Sequence, residues 1–255
     1  NLGIAGASNG ALDVAEGEFI ALLDHDDELA PDALFEVVRA LNQQPDIDFI
    51  YTDEDKLDEK GRHVEVFLKP DWSPELLLST MYTCHLGVYR KSLIDEAGGF
   101  RTGFEGAQDH DLVLRLTEHT RRIHHIPNVL YHWRRTGGST SVEYHSAAGG
   151  KAAAESSLKA LRDTLQRRKI AGIVEPGLFS GSYRIRPAVP AGLRASIIIA
   201  TRDRLDFLQR CIETVLHYTK HRNYEILVVD NESVESCTKQ YLSSLARHER
   251  IRVIP

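Results

Sequence analysis

The stretch from residue 195 to the end constrains the fold most. "ASIIIATRDR" and "YEILVVDNES" are apolar runs of strand length that end in polar residues. Each leads into an amphipathic helical stretch, "LDFLQRCIETVLHYT" and then "CTKQYLSSLARH", and "IRVIP" begins a third strand. Strand, helix, strand, helix, strand is the pattern of a parallel α/β sheet. Ligands of such sheets bind at the carboxyl ends of the strands. Thr201, Asp230 and, earlier in the chain, Asp24 fall at such ends.

The preceding residues repeat the theme less regularly. "GEFIALLD" and "DIDFIYTDED" read as buried strands running into acid. Between them "PDALFEVVRALNQQ" reads as a helix, with Pro31 in its first turn and Leu34, Val37, Val38 and Leu41 as one apolar stripe. "SLIDEAGGF" predicts a short helix stopped by Gly98 and Gly99. "QDHDLVLRLTEH" predicts a helix with acid in its first turn, and "IHHIPNVLYHWR" a strand. "KAAAESSLKALRDTLQRRK" reads as a polar helix with a thin stripe of Leu158, Leu161 and Leu165. "IVEPGLFSGSYRIRPAVPAG" reads as an extended connector. The expected division is 1–142, a helical and extended connector over 143–194, and 195–255.

Composition narrows the function. A net charge of -6 argues against nucleic acid or an anionic membrane as partner. The three cysteines, Cys84, Cys211 and Cys237, have no metal-type spacing and suit a reducing, cytoplasmic setting. No apolar run reaches the roughly 18–20 residues that cross a bilayer. Met81 is the only methionine, so the chain is expected to begin inside a longer protein or to have been cut.

"LLDHDDEL" crowds Asp24, Asp26, Asp27 and Glu28 around His25. Asp24 and Asp26 lie two apart in a segment read as extended, so both can point the same way. A divalent cation such as Mg²⁺ or Mn²⁺ would relieve their repulsion; a solvated acidic turn is the other reading. Asp109, at a loop-to-helix junction, suits a general base or a helix cap. His132, ending a strand, suits a metal ligand or a buried hydrogen-bonding histidine. Asp230 suits a contact to a base or ribose, or a turn.

Taken together, "SIIIATRDR", "YEILVVDNES", "NLGIAGASNGAL", "FIALLDHDDELAPDAL", "GGFRTGFEGAQDHDLVLRL" and "YHWRRTGGSTS" resemble the successive motifs of family 2 glycosyltransferases. "YTDEDKLDEKG" and "FLKPDWSPELLLSTMYTCHLGVYRKSLI" are similar to the bacterial branch that builds surface polysaccharides. The resemblance implies a GT-A α/β fold, expected as a mostly parallel sheet with flanking helices. It implies a nucleotide-diphosphate sugar donor and a glycan or lipid-linked glycan acceptor at the inner face of a membrane. Asp24 and Asp26 match the metal and nucleotide-sugar Asp-x-Asp motif, and His132 matches a histidine that completes the metal site. Asp109 matches the catalytic base, although Gln108 stands where Glu is usual. Thr201, Asp203 and Asp230 match the nucleotide pocket. Asn9 matches the end of a donor-binding motif, with Ser8 where Arg is usual.

The motif order departs from the family. The half that comes first there comes last here, as in a circular permutation or a cut across a tandem enzyme. Residues 195–255 are expected to complete the sheet begun by 1–142, within one chain or by exchange in a swapped dimer. A non-catalytic sugar-nucleotide-binding module, or an inactive fragment, is the alternative function. A phosphohydrolase is disfavoured by the positions of Asp109 and His132. A processive synthase is disfavoured because no Gln-x-x-Arg-Trp motif is present.

Overall fold

The computed structural model describes residues 2–135, 149–190 and 192–255. The chain forms two compact units, Asn1–Ala188 and Val189–Pro255. The tail of "YHWRRTGGSTS", from residue 136 on, lies outside the described residues.

In the first unit six strands make one sheet: β1 (Phe19–Ala21), β2 (Glu28–Leu29), β3 (Phe49–Leu57), β4 (His63–Phe67), β5 (Gly87–Arg90) and β6 (Ile123–Arg134). The order is β1-β5-β3-β6-β2, with β4 paired to β3. The sheet is mixed rather than mostly parallel. Among the described residues β3 and β6 are its one parallel pair, and its other pairs are antiparallel. A short turn suffices to return β4 against β3, whereas a parallel pair needs a long crossover, and the chain between β3 and β6 supplies it.

β3 is buried along nearly its whole length. Its side chains alternate between the two faces. Phe49 and Tyr51 join the core cluster that holds Leu93, Leu112 and Leu161, while Ile50 joins the cluster of Val37, Val88 and Leu130. The first cluster is closed by helices α1 (Gly3–Val14), α4 (Lys91–Ala97), α5 (Gln108–His119) and α6 (Gly149–Arg167), and the second by α2 (Ala33–Gln43). A short α3 (Pro74–Leu77) starts where the Ser73 hydroxyl accepts the Leu76 N–H at 3.2 Å.

Two local expectations change, and one helix was not foreseen. "NLGIAGASNGAL" forms α1 although its three glycines each cost about 0.5–1 kcal/mol relative to alanine; burial of Ala5 and Leu12 offsets this. On α2 the inward residues are Ala33, Val37 and Ala40, while Leu34 and Val38 are 58% and 53% exposed. The expected connector carries a hairpin, β7 (Gly172–Pro176) with β8 (Tyr183–Pro187), whose Val174 and Tyr183 pack into the first unit's core beside Leu161 and Leu165 of α6. The first unit therefore runs on to residue 188 instead of ending near 142.

The second unit is parallel throughout, as expected: β9 (Ala195–Thr201), β10 (Tyr224–Asp230) and β11 (Ile251–Ile254) in the order β11-β10-β9. Helices α7 (Leu205–Tyr218) and α8 (Ser236–Leu245) pack Leu208, Ile212, Leu242 and Leu245 against Ile197, Ile226 and Val228. Successive right-handed crossovers in this order put both helices on one face. Ile198, on the opposite face, is 69% exposed. Among the described residues no helix is long and apolar enough to cross a membrane.

Candidate active site

The parallel β3–β6 pair sets the site. Their carboxyl ends lie at the same edge, with Asp55 opposite His132 in the register. β6 carries extra residues around Pro127 and Asn128, where Thr52 pairs Ile126 and Asp53 pairs Val129. Pro127 has no N–H to give a ladder and sits in this irregularity. β2 then pairs Glu28 with His132 and brings the acidic segment to that edge. β5 enters antiparallel, with Gly87 opposite Tyr51, so residues 84–86 arrive there too.

Residues 24–27 form a turn, closed by Asp27 N–H to Asp24 C=O at 3.2 Å, rather than an extended segment. Asp27 is the structural member. Its carboxylate accepts the Tyr131 hydroxyl at 2.5 Å and the Arg134 N–H at 2.8 Å. Burial raises its carboxyl above the ordinary range, against these two hydrogen bonds. Arg134 also donates to the Asp26 carbonyl at 3.0 Å and pairs with Glu28. Asp24 and Asp26 face solvent more, at 51% and 27% exposure. His85 lies 4.0 Å from the Asp24 carboxylate and stacks on Tyr131 at 4.6 Å.

β3 buries three consecutive acids, and each has a basic partner. Asp53 meets His125 at 2.8 Å, Glu54 meets Lys69 at 2.9 Å, and Asp55 meets His132 at 2.7 Å and His63 at 2.8 Å. His132 thus stands with Asp55 and His63. Asp55, His63 and His132 are also the one group of three candidate metal ligands, among the described residues, whose donor atoms all lie within 4.8 Å of one another. Asp24 and Asp26 are not in that group.

Asp109 is not a helix cap. Ala107 holds the N-cap position of α5, and the Asp109 carboxylate accepts the next N–H, of His110, at 2.7 Å. Burial pushes the Tyr89 phenol up and the Asp109 charge adds to this. Burial and Glu54 push the Cys84 thiol up, with Asp109 a smaller contributor. The helix that carries Asp109 is braced by Asp111, buried between Arg101 and Arg115. Arg115 also holds the carbonyls of Ala97 and Gly99 at 2.6 and 2.7 Å.

Asn9 is used at both ends of its amide. It donates to the Phe100 carbonyl and accepts the Phe100 N–H, both at 2.8 Å. Gly99 has φ +66°, and a Cβ there would stand 2.7 Å from the Asn9 oxygen, so glycine is required on both counts.

In the second unit Thr201 and Asp230 are register partners, and Asn231 N–H reaches the Thr201 carbonyl at 2.8 Å. Asp203, at φ +53°, holds the loop that leads into α8: its carboxylate accepts the N–H groups of Val234 and Glu235 at 2.9 and 2.8 Å. Asp230 accepts the Ser233 N–H at 3.0 Å. The three expected nucleotide residues are thus brought together by two linked loops. A shallow cavity of about 290 Å³ beside them is lined by Thr201, Arg202, Asp203, Arg204 and Phe207.

The sequence reading missed Asp55, His63, His85, Lys69 and His125. A signal was available for Asp55, since three acids on a buried strand require basic partners. None was available for His63, a lone histidine in a charged, aperiodic stretch.

The family model described as "Glycosyl transferase family 2" matches residues 1–98 and 196–255. An uncharacterized protein, y4gI of Sinorhizobium fredii, is 44% identical over 97% of this chain and 27% of its own length. The O-antigen biosynthesis protein RfbC of Myxococcus xanthus is 39% identical over 90% of this chain and 18% of its own. The chain thus spans about a quarter or less of these relatives. The solved structure of S. aureus TarS 1–349 aligns over 72% of this chain and 76% of that one, with 14% identity and a TM-score of 0.43.

Proposed function

The chain belongs to glycosyltransferase family 2, with its GT-A type of α/β fold, and from that premise we propose that it carries the parts of an inverting transferase for bacterial surface-polysaccharide synthesis. The donor is a nucleotide-diphosphate sugar. The acceptor is a hydroxyl of a growing glycan. The observation that carries this reading is the acidic turn of Asp24 and Asp26 at the carboxyl edge of the β3–β6 pair, with His85 4.0 Å from the Asp24 carboxylate.

The residues present fit a hard divalent cation. Asp24 and Asp26 offer partly exposed carboxylate oxygens, while Asp27 is spent on Tyr131 and Arg134 and holds the turn in shape. Oxygen donors with room for phosphate oxygens suit Mg²⁺ or Mn²⁺. Such an ion, when bound, offsets charge on the leaving diphosphate. Asp109 takes the proton from the acceptor hydroxyl as that oxygen attacks the anomeric carbon. Thr201, Asp203 and Asp230, at strand ends of the second unit, are proposed to line the nucleotide pocket.

The test is nucleotide release from a panel of sugar nucleotides, with and without glycan acceptors, alongside calorimetric titration of Mn²⁺ with a nucleoside diphosphate. Acceptor-dependent release, and mutual enhancement of metal and diphosphate binding that Asp26→Asn removes, support the reading. Tight nucleotide binding with no release under any acceptor assigns a binding module instead.

A further inference from the structure

We propose that Asp55, His63 and His132 form a transition-metal site of their own, separate from the Asp24 and Asp26 turn. The three come from three strands of one sheet, β3, β4 and β6. Asp55 is opposite His132 in the parallel ladder, and His63 is opposite Leu57 in the antiparallel one. The hairpin that delivers His63 is tightly built. The Asp58 carboxylate accepts the N–H groups of Lys60 and Arg62, both at 2.9 Å, and Gly61 takes φ +71°. The backbone therefore fixes all three Cα positions before any metal arrives.

The donor set defines the ligand class. Two imidazole nitrogens and one carboxylate oxygen suit Zn²⁺, Co²⁺ or Mn²⁺, whereas Mg²⁺ and Ca²⁺ favour all-oxygen sites. The His63 and His132 rings stand edge to face, 4.6 Å apart, so their Nδ1 atoms converge on Asp55 from different directions. Nitrogen-to-oxygen separations of 2.8 and 2.7 Å are those of hydrogen bonds. In a tetrahedral zinc site, with metal–ligand distances of about 2.0–2.1 Å, ligand atoms stand about 3.3 Å apart. The His63 nitrogen meets Oδ2 and the His132 nitrogen Oδ1, so the ion is admitted by side-chain rotation of the three residues together with an opening of each pair by about half an ångström.

Exposure gives the site its access. Asp55 and His132 are 6% and 13% exposed, but His63 is 57% exposed. The ion enters from the His63 side, and a water or a phosphate oxygen completes its shell there. Bound, it staples the β3–β4 hairpin to the carboxyl end of β6. His132 is accordingly assigned to this site and not to the Asp-x-Asp turn.

The test uses Co²⁺ alone, with no nucleotide, because its visible absorption reports nitrogen ligation. The wild-type chain is expected to bind one Co²⁺ with ligand-field bands and to melt at a higher temperature when the ion is present. His63→Ala, an exposed position whose loss leaves the core intact, is expected to weaken Co²⁺ at least tenfold and to abolish the bands and the thermal shift. Asp55→Asn should do the same, and Asp24→Asn with Asp26→Asn should leave all three readouts unchanged. The inference is overturned if the wild type shows no bands, or if His63→Ala keeps them. It is also overturned if only the Asp24 and Asp26 variant loses them, an outcome that leaves the proposed transferase chemistry standing.

Discussion

The Lys69 ammonium lies 2.9 Å from the Glu54 carboxylate, and both side chains are almost wholly withdrawn from solvent. Lys69 also donates to the carbonyls of Thr83, at 2.8 Å, and His85. Glu54 accepts the His85 N–H at 3.0 Å. One ion pair thus ties β3 to the segment that carries His85 beside Asp24. Lys69→Met leaves a buried carboxylate and two carbonyls without their cation. A loss of about 3–5 kcal/mol is expected, the scale for breaking one side of a buried pair. Adding Glu54→Gln, which removes the charge but keeps an acceptor for His85, should restore about 1–3 kcal/mol. Urea unfolding of the two variants measures both quantities. A single-variant loss under about 1 kcal/mol would mean that water reaches the pair.

Asn9 offers a test of clamp against ligand. With both ends of its amide on Phe100, Asn9→Ala leaves one N–H and one carbonyl unpaired in a partly buried place. Stability should fall by about 1–3 kcal/mol. Affinity for a nucleoside diphosphate should stay within twofold of wild type, measured by calorimetry. A tenfold loss of affinity with unchanged stability would return Asn9 to the donor site.

Where burial followed a simple period, the sequence was legible. α5 and β6 occupy the residues that "QDHDLVLRLTEH" and "IHHIPNVLYHWR" predict, and the parallel sheet of the second unit follows from "SIIIA" and "EILVV". α2 was legible as a helix but not in its inward face, because packing against β6 selected small Ala33 and Ala40 over Leu34. α1 was illegible because its glycines oppose a helix that tertiary contacts impose. In the site, single residues at strand ends could be read, but their partners could not. The pairing of Asp55 with His132 depends on parallel register, and that with His63 on a hairpin turn. Neither is written in local periodicity.

Asp109 should separate chemistry from binding. It projects from the first turn of α5, and its carboxylate accepts the neighbouring N–H of His110. In an assembled, active enzyme, Asp109→Asn keeps size and polarity but cannot take a proton. Turnover is expected to drop by about 10²-fold or more, the scale for a general base, while donor affinity stays near wild type. Steady-state kinetics with calorimetry of donor binding reads both. Turnover within a few-fold of wild type would leave Asp109 with no proton to carry.

The neighbouring His110 should give the protein an acid-sensitive stability. Its ring is buried, its Nε2 donates to the Leu77 carbonyl at 2.9 Å, and its Nδ1 is buried with no hydrogen-bond partner among the described residues, so a proton there would be left unpaired. Burial lowers its pKa below 6.5, against the Leu77 hydrogen bond and the charges of Asp109 and Asp111. The sign follows from linkage. The unfolded chain takes up a proton near pH 6.5, and the folded one resists until a lower pH. This contribution is therefore complete above that value and is lost as pH falls from it toward the folded pKa. The loss runs at up to about 1.4 kcal/mol per pH unit. His110→Gln keeps an N–H for Leu77 but does not titrate. Urea midpoints at about pH 7.5 and 5.5 should show wild type losing on the order of 1 kcal/mol more than the variant. Equal losses would mean that His110 accepts its proton as readily in the fold as out of it.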